Sequence, residues 1–97
     1  MFRVLVIDDN PDLRELLRGI LEGAGYAVDL AADAALGLIL QRARPADALI
    51  NGTSTPGPDG IETIAFLRSE FPQLKIVALP KPVDAGRLLR ALRETLR

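Results

Sequence analysis

The run Val4-Leu5-Val6-Ile7, followed at once by Asp8 and Asp9, constrains this chain more than any other stretch. Four consecutive apolar residues, three of them β-branched, suit a strand covered on both faces, as in a parallel sheet between helices. Parallel strands need crossover connections, so helical segments must alternate with strands. The carboxyl ends of such strands are where open α/β sheets place their sites. Two carboxylates there must be solvated, paired or metal-bound, because burying them bare is costly.

The remainder of the chain supplies the alternation. Asn10 is a natural N-cap and Pro11 suits a first helical position. Leu13, Leu16, Leu17, Ile20 and Leu21 recur at helical spacing and predict one buried stripe, ended by Gly23 and Gly25. Tyr26–Ala31 reads as a second strand. Asp33 is placed to cap a second helix, with Leu36, Ile39, Leu40 and Ala43 inward and Gly37 as a weak point. Ala48-Leu49-Ile50 is a third strand ending at Asn51-Gly52, and residues 53–60 are a loop by composition. A third helix follows, with Ile61, Ile64, Ala65 and Arg68 or Phe71 along one side, closed by Pro72. Lys75–Leu79 is a fourth strand. Pro80-Lys81-Pro82 forces a turn, and Asp84 caps a last helix carrying Leu88, Leu89, Leu92 and Leu96.

Ninety-seven residues without repeat or linker fit one domain, residues 1–97. The chain has no cysteine and no histidine, which excludes disulfides, thiolate or imidazole zinc sites and the usual hydrolytic triads. A net charge of −1 argues against generic binding to nucleic acid or anionic membrane. No apolar run is long enough to cross a bilayer and no signal-peptide pattern opens the chain, so a cytoplasmic location is expected. Arg87, Arg90, Arg93 and Arg97 fall on one side of the last helix and read as a solvated face.

Three motifs in order, Val-Leu-Val-Ile-Asp8-Asp9-Asn-Pro, Pro56-Gly-Pro-Asp59-Gly60 and Lys81-Pro82-Val-Asp84, resemble the receiver domain of two-component response regulators. The resemblance implies a flavodoxin-like fold. It also implies an acid pair, Asp8 and Asp9, that binds Mg²⁺, and an aspartate ending the third strand that accepts a phosphoryl group from a histidine kinase. A Ser or Thr ending the fourth strand and a Lys before Pro, here Lys81, would attend that group. A divalent cation and an ammonium offset the charge gathering on a transferred phosphoryl.

This chain departs from that pattern. Counting from Pro56, the acceptor position falls on Gly52, with Asn51 adjacent, and neither is a carboxylate. The Ser/Thr position falls at about Leu79. The family's fourth helix and fifth strand are missing, because one residue separates Leu79 from Lys81 and no parallel crossover fits there. The expected architecture is therefore a receiver-type α/β sheet of four strands in order 2-1-3-4 with helices on both faces. Pro56, Asp59 and Gly60 match the turn after the acceptor, with Asp59 a candidate cap. Mg²⁺ would bind weakly, having lost a third carboxylate, and Lys81 is expected to neutralise Asp8 or Asp9.

The functional expectation is a signalling module of two-component or phosphorelay type, not an enzyme. It would take no phosphoryl group on aspartate and would act through protein contacts. Two alternatives stay open: Mg²⁺-dependent phosphorylation on a hydroxyl of Thr53, Ser54 or Thr55, or a shortened scaffold without activity. The expected partners are a histidine kinase or a downstream signalling protein, and a second copy paired along the fourth-strand edge and the last helix. Nucleic acid and membrane are not expected partners.

Overall fold

The computed structural model describes residues 1–52 and 58–97, with side chains from residue 64 onward in the second stretch. Strands and helices alternate as β1 (Arg3–Ile7), α1 (Pro11–Gly23), β2 (Ala27–Ala31), α2 (Ala34–Ala43), β3 (Ala48–Asn51), α3 (Pro58–Glu70), β4 (Lys75–Ala78) and α4 (Ala85–Thr95). The four strands form one parallel sheet in the order β2-β1-β3-β4, as the sequence predicts. The register brings their carboxyl ends level. Ile7 stands between Ala31 and Asn51, and Asn51 stands beside Ala78. The residues that follow, Asp8, Gly52 and Leu79, therefore leave the sheet along one rim.

Each helix starts where its cap allows. The Asn10 side chain accepts from the N–H groups of Asp12 and Leu13 at 2.9 and 3.2 Å, with Pro11 first in α1. Asp33 accepts from Leu36 N–H at 2.8 Å and Asp84 from Arg87 N–H at 3.0 Å. After α1 the chain turns at Gly25, whose φ of 95° lies in the region open to glycine. Between β4 and α4 the Lys81–Pro82 peptide is cis.

Side chains alternate across the strands and build two cores. Val4 and Val6 of β1 and Ala48 and Ile50 of β3 pack under α1 and α4, against Leu17, Leu21, Leu88, Leu92 and Leu96. Leu5, Ile7 and Leu49 face the other way, against α2 and α3, where Leu67 is fully buried. The sheet is thus covered on both sides, which is why its central strands read as unbroken apolar runs.

The helix faces depart from the expected stripes. In α1, Leu17 and Leu21 are buried but Leu16 is 53% exposed. In α2 the buried positions are Gly37 and Gln41, and Leu38 and Leu40 pack partly against the core, Leu40 as expected, while Leu36 and Ile39 are exposed and Ala43 lies outside. The reason is local. At Gly37 the helix comes so close to β1 that a Cβ would overlap Ile7 Cδ1 and sit 3.0 Å from its Cγ1. Gln41, one turn on, is buried because its amide closes the following loop, accepting from Ala46 N–H at 2.9 Å and donating to Ala46 C=O at 3.3 Å. In α3, Ile64 and Leu67 face the core, as does Phe71 just after it, while Ala65 and Arg68 are exposed; the side chain of Ile61 lies outside the described residues.

Polar ties join the periphery. Asp29, 9% exposed, accepts from Arg3 Nη1 at 3.1 Å and Arg44 Nη2 at 2.9 Å. Arg42 forks onto Glu70 with two bonds of 3.0 Å, linking α2 to α3, and lies 5.7 Å over the Phe66 ring. Glu70 holds the Arg42 guanidinium pKa above its ordinary value through that hydrogen bond. Among the described residues no helix is long and apolar enough to cross a membrane.

Candidate functional site

The rim where β1, β3 and β4 end gathers most of the chemistry singled out by the sequence. Asp8 follows β1 directly and is 1% exposed. Its N–H donates to Ala31 C=O at 3.0 Å, continuing the β1–β2 ladder by one residue. Its Oδ1 accepts from Asn10 N–H at 2.8 Å, so half of the carboxylate serves the start of α1. Its Oδ2 is buried and has no hydrogen-bond partner among the described residues. Arg14, on the first turn of α1, reaches back and donates from Nη1 to Asp8 C=O at 2.7 Å. Asp9, next in the chain, is exposed.

Gly52 enters from β3. Its N–H donates to Ile7 C=O at 2.8 Å, which fixes it beside Asp8. A Cβ on Gly52 would collide with Asp8 Oδ2, and would lie 3.1 Å from Asp8 Cγ and 3.1 Å from Leu79 Cδ2. The Asp8 carboxylate therefore occupies the space into which any side chain at 52 would project. Leu79, 8% exposed, closes the same space from β4.

Lys81 reaches this corner, although not in the expected way. Its Nζ donates to the main-chain oxygen of Gly52 at 2.8 Å. It makes no ion pair with Asp8 or Asp9 among the described residues, so the expected neutralisation of the acid pair is not what the lysine does. A carbonyl is a weaker partner for an ammonium than a carboxylate, but it is the acceptor that the end of β3 presents.

The corner thus unites Asp8, Gly52, Leu79 and Lys81, with Asp9 and Asn51 at its edges. Thr53, Ser54, Thr55 and Pro56 lie outside the described residues. Asp59 and Gly60 fall in the first turn of α3, which begins at Pro58, so Asp59 is a helical residue and not the cap. Two contributors escaped the sequence reading. In the sequence Arg14 is one more charged residue of the first helix, and its contact with Asp8, six positions before it, has no local signature. The backbone oxygen of Gly52 carried no sequence signal, because every residue has one.

The donor set suits a cation modestly. One carboxylate oxygen is buried and unpartnered, a second carboxylate is exposed, and among the described residues no group of three or more acidic, His or Cys side chains could hold a metal.

Comparison with known proteins follows the same lines. A family model described as the response regulator receiver domain matches residues 4–95. The response regulator MprA of Mycobacterium avium is 39% identical over 77 residues, covering 79% of this chain and 34% of that protein. The chain thus spans about a third of the length of the curated relatives it matches. Among solved structures, a CheY-like response regulator receiver domain protein from Methanospirillum hungatei superposes with a TM-score of 0.88 at 24% identity, covering 99% of this chain and 94% of that one. A receiver domain protein from Clostridium thermocellum gives 0.87 at 20% identity over the same shares of the two chains. These likenesses establish a flavodoxin-like, CheY-type fold.

Proposed function

The chain belongs to the response regulator receiver family of two-component signalling, and from that premise we propose that it is a receiver that accepts no phosphoryl group on aspartate and signals through protein contacts. The observation that carries this is Gly52. It stands at the position where the resemblance puts the acceptor, it has no side chain, and the Asp8 carboxylate fills the space a side chain would need. Lys81, which in the resemblance attends the phosphoryl group, is engaged with the Gly52 carbonyl. The partners consistent with this reading are a histidine kinase or a downstream signalling protein.

Mg²⁺, where bound, would offset negative charge at the corner. Asp8 and Asp9 are the residues that would hold it, with water completing a coordination shell that needs about six oxygens. Two carboxylates, one of them largely enclosed, make this a weak site.

The test is incubation with acetyl phosphate and Mg²⁺ followed by intact-mass measurement. The mass is expected to stay unchanged. A phosphoryl adduct would overturn the proposal. An adduct that disappears on Thr53→Ala, Ser54→Ala and Thr55→Ala would assign the chemistry to a hydroxyl instead.

A further inference from the structure

β4 lies at the edge of the sheet and, among the described residues, is paired on one side only, with β3. Lys75 N–H donates to Asp47 C=O at 3.1 Å, so the backbone groups of Lys75 and Val77 point toward β3. In a pleated strand those of Ile76 and Ala78 then point away. Their two N–H and two C=O groups have no partner among the described residues and form a template for one more strand.

The surroundings of this edge carry a charge. Val77 packs into the core beneath α4, so α4 lies over the same end of the sheet. The outer side of α4 exposes Arg87, Arg90 and Arg93, with Arg97 just beyond its end. None of these four makes an ion pair among the described residues. Residues 75–97 hold six of the twelve basic side chains and only Asp84 and Glu94 of the thirteen acids, so the remaining 74 residues are net negative. An added strand would run about 4.8 Å beyond β4, at the border of the segment that carries this positive charge.

We propose that the open edge of β4 takes up an extended, acidic segment of a partner protein as a fifth strand, its carboxylates drawn by the positive charge of residues 75–97. Main-chain hydrogen bonds at Ile76 and Ala78 would supply affinity, and charge would supply selection and speed of encounter. A second copy of this chain is the poorer occupant. Antiparallel two-fold pairing of two β4 edges puts both α4 helices on one face and brings the two positive segments, residues 75–97 of each copy, side by side. The inference rests on the reading of the chain as a contact module, which the acetyl phosphate experiment tests separately.

The probe is a fluorescein-labelled heptapeptide of alternating Glu and Val, with a Lys/Val heptapeptide as control, added to the full chain and followed by anisotropy and amide hydrogen exchange. Saturable binding of the acidic peptide alone is expected, weakening as salt is raised, with slowed exchange at Ile76 and Ala78. Ala78→Pro removes an outward N–H from an edge strand, where proline is tolerated, and should weaken binding about tenfold. Arg90→Gln with Arg93→Gln touches only exposed side chains and should weaken it about fivefold at low salt. Equal binding of both peptides, binding unaffected by either variant, or binding without protection of Ile76 and Ala78 would overturn the proposal. So would a concentration-dependent dimer of the chain that Ala78→Pro abolishes, or tighter binding of random-sequence duplex DNA than of the acidic peptide.

Discussion

Asp8 holds a buried oxygen that nothing in the described residues satisfies, beside a glycine with no room for a Cβ. An amide at the same place keeps the Oδ1 bond to Asn10 but puts two N–H donors where Oδ2 lies without a partner, so one unsatisfied group replaces another. Asp8→Asn is therefore expected to change stability by less than about 1 kcal/mol, read as a small shift of the urea midpoint. Gly52→Ala should destabilise it by about 1–2 kcal/mol, because the new methyl meets Asp8 and Leu79. In an Asp8→Ala background most of that penalty should vanish, and a double-mutant cycle by chemical denaturation reads the difference. The sequence made Asp8, Gly52 and Lys81 legible as one corner, through motif order and strand ends. It could not show that Lys81 binds a carbonyl or that Asp8 leans into the space at 52, since both depend on how far β1, β3 and the turn after β4 lie from one another.

At the scale of elements, the strands and three of the caps were legible because each rests on local chemistry: short apolar runs, Asn10, Asp33 and Asp84, whereas Asp59 falls inside α3. The faces of α1 and α2 were less so. Leucine is apolar wherever it stands, and the residue that marks the true inner face of α2 is a glycine. Gly37→Ala weighs two effects against each other. Alanine raises helix propensity by about 1 kcal/mol, while the added methyl overlaps Ile7, fully buried and stiff at χ1. Overpacking of this kind costs typically 1–3 kcal/mol, so the expected net result is a lower midpoint in urea. The same reasoning separates neighbours on α1. Leu17→Ala should cost about 2–4 kcal/mol and Leu16→Ala less than about 0.5, although periodicity places both in one stripe.

For the whole molecule, the two cores share one sheet, and α4 contributes Leu88, Leu92 and Leu96 to one of them. Burying a leucine stabilises by about 1.5–3 kcal/mol, so these three together rival the total stability of a domain this size, about 5–15 kcal/mol. A chain ending at Val83 is therefore expected to be unfolded at 25 °C, with random-coil circular dichroism, while the full chain melts in one transition. The four-strand order was legible because a single residue between Leu79 and Lys81 leaves no length for another crossover. The segregation of positive charge onto the last quarter was equally plain in the letters. What the letters lacked was that this quarter begins with a strand that has no outer partner among the described residues, which only the assembled sheet reveals.

The crowding at Gly52 also bears on how much change the corner tolerates. Writing aspartate at 52 would press a new acid into a place its neighbour already holds, two negative groups in one small space. A carboxylate there would need Asp8 to swing outward as well, so one substitution at 52 calls for a second movement beside it.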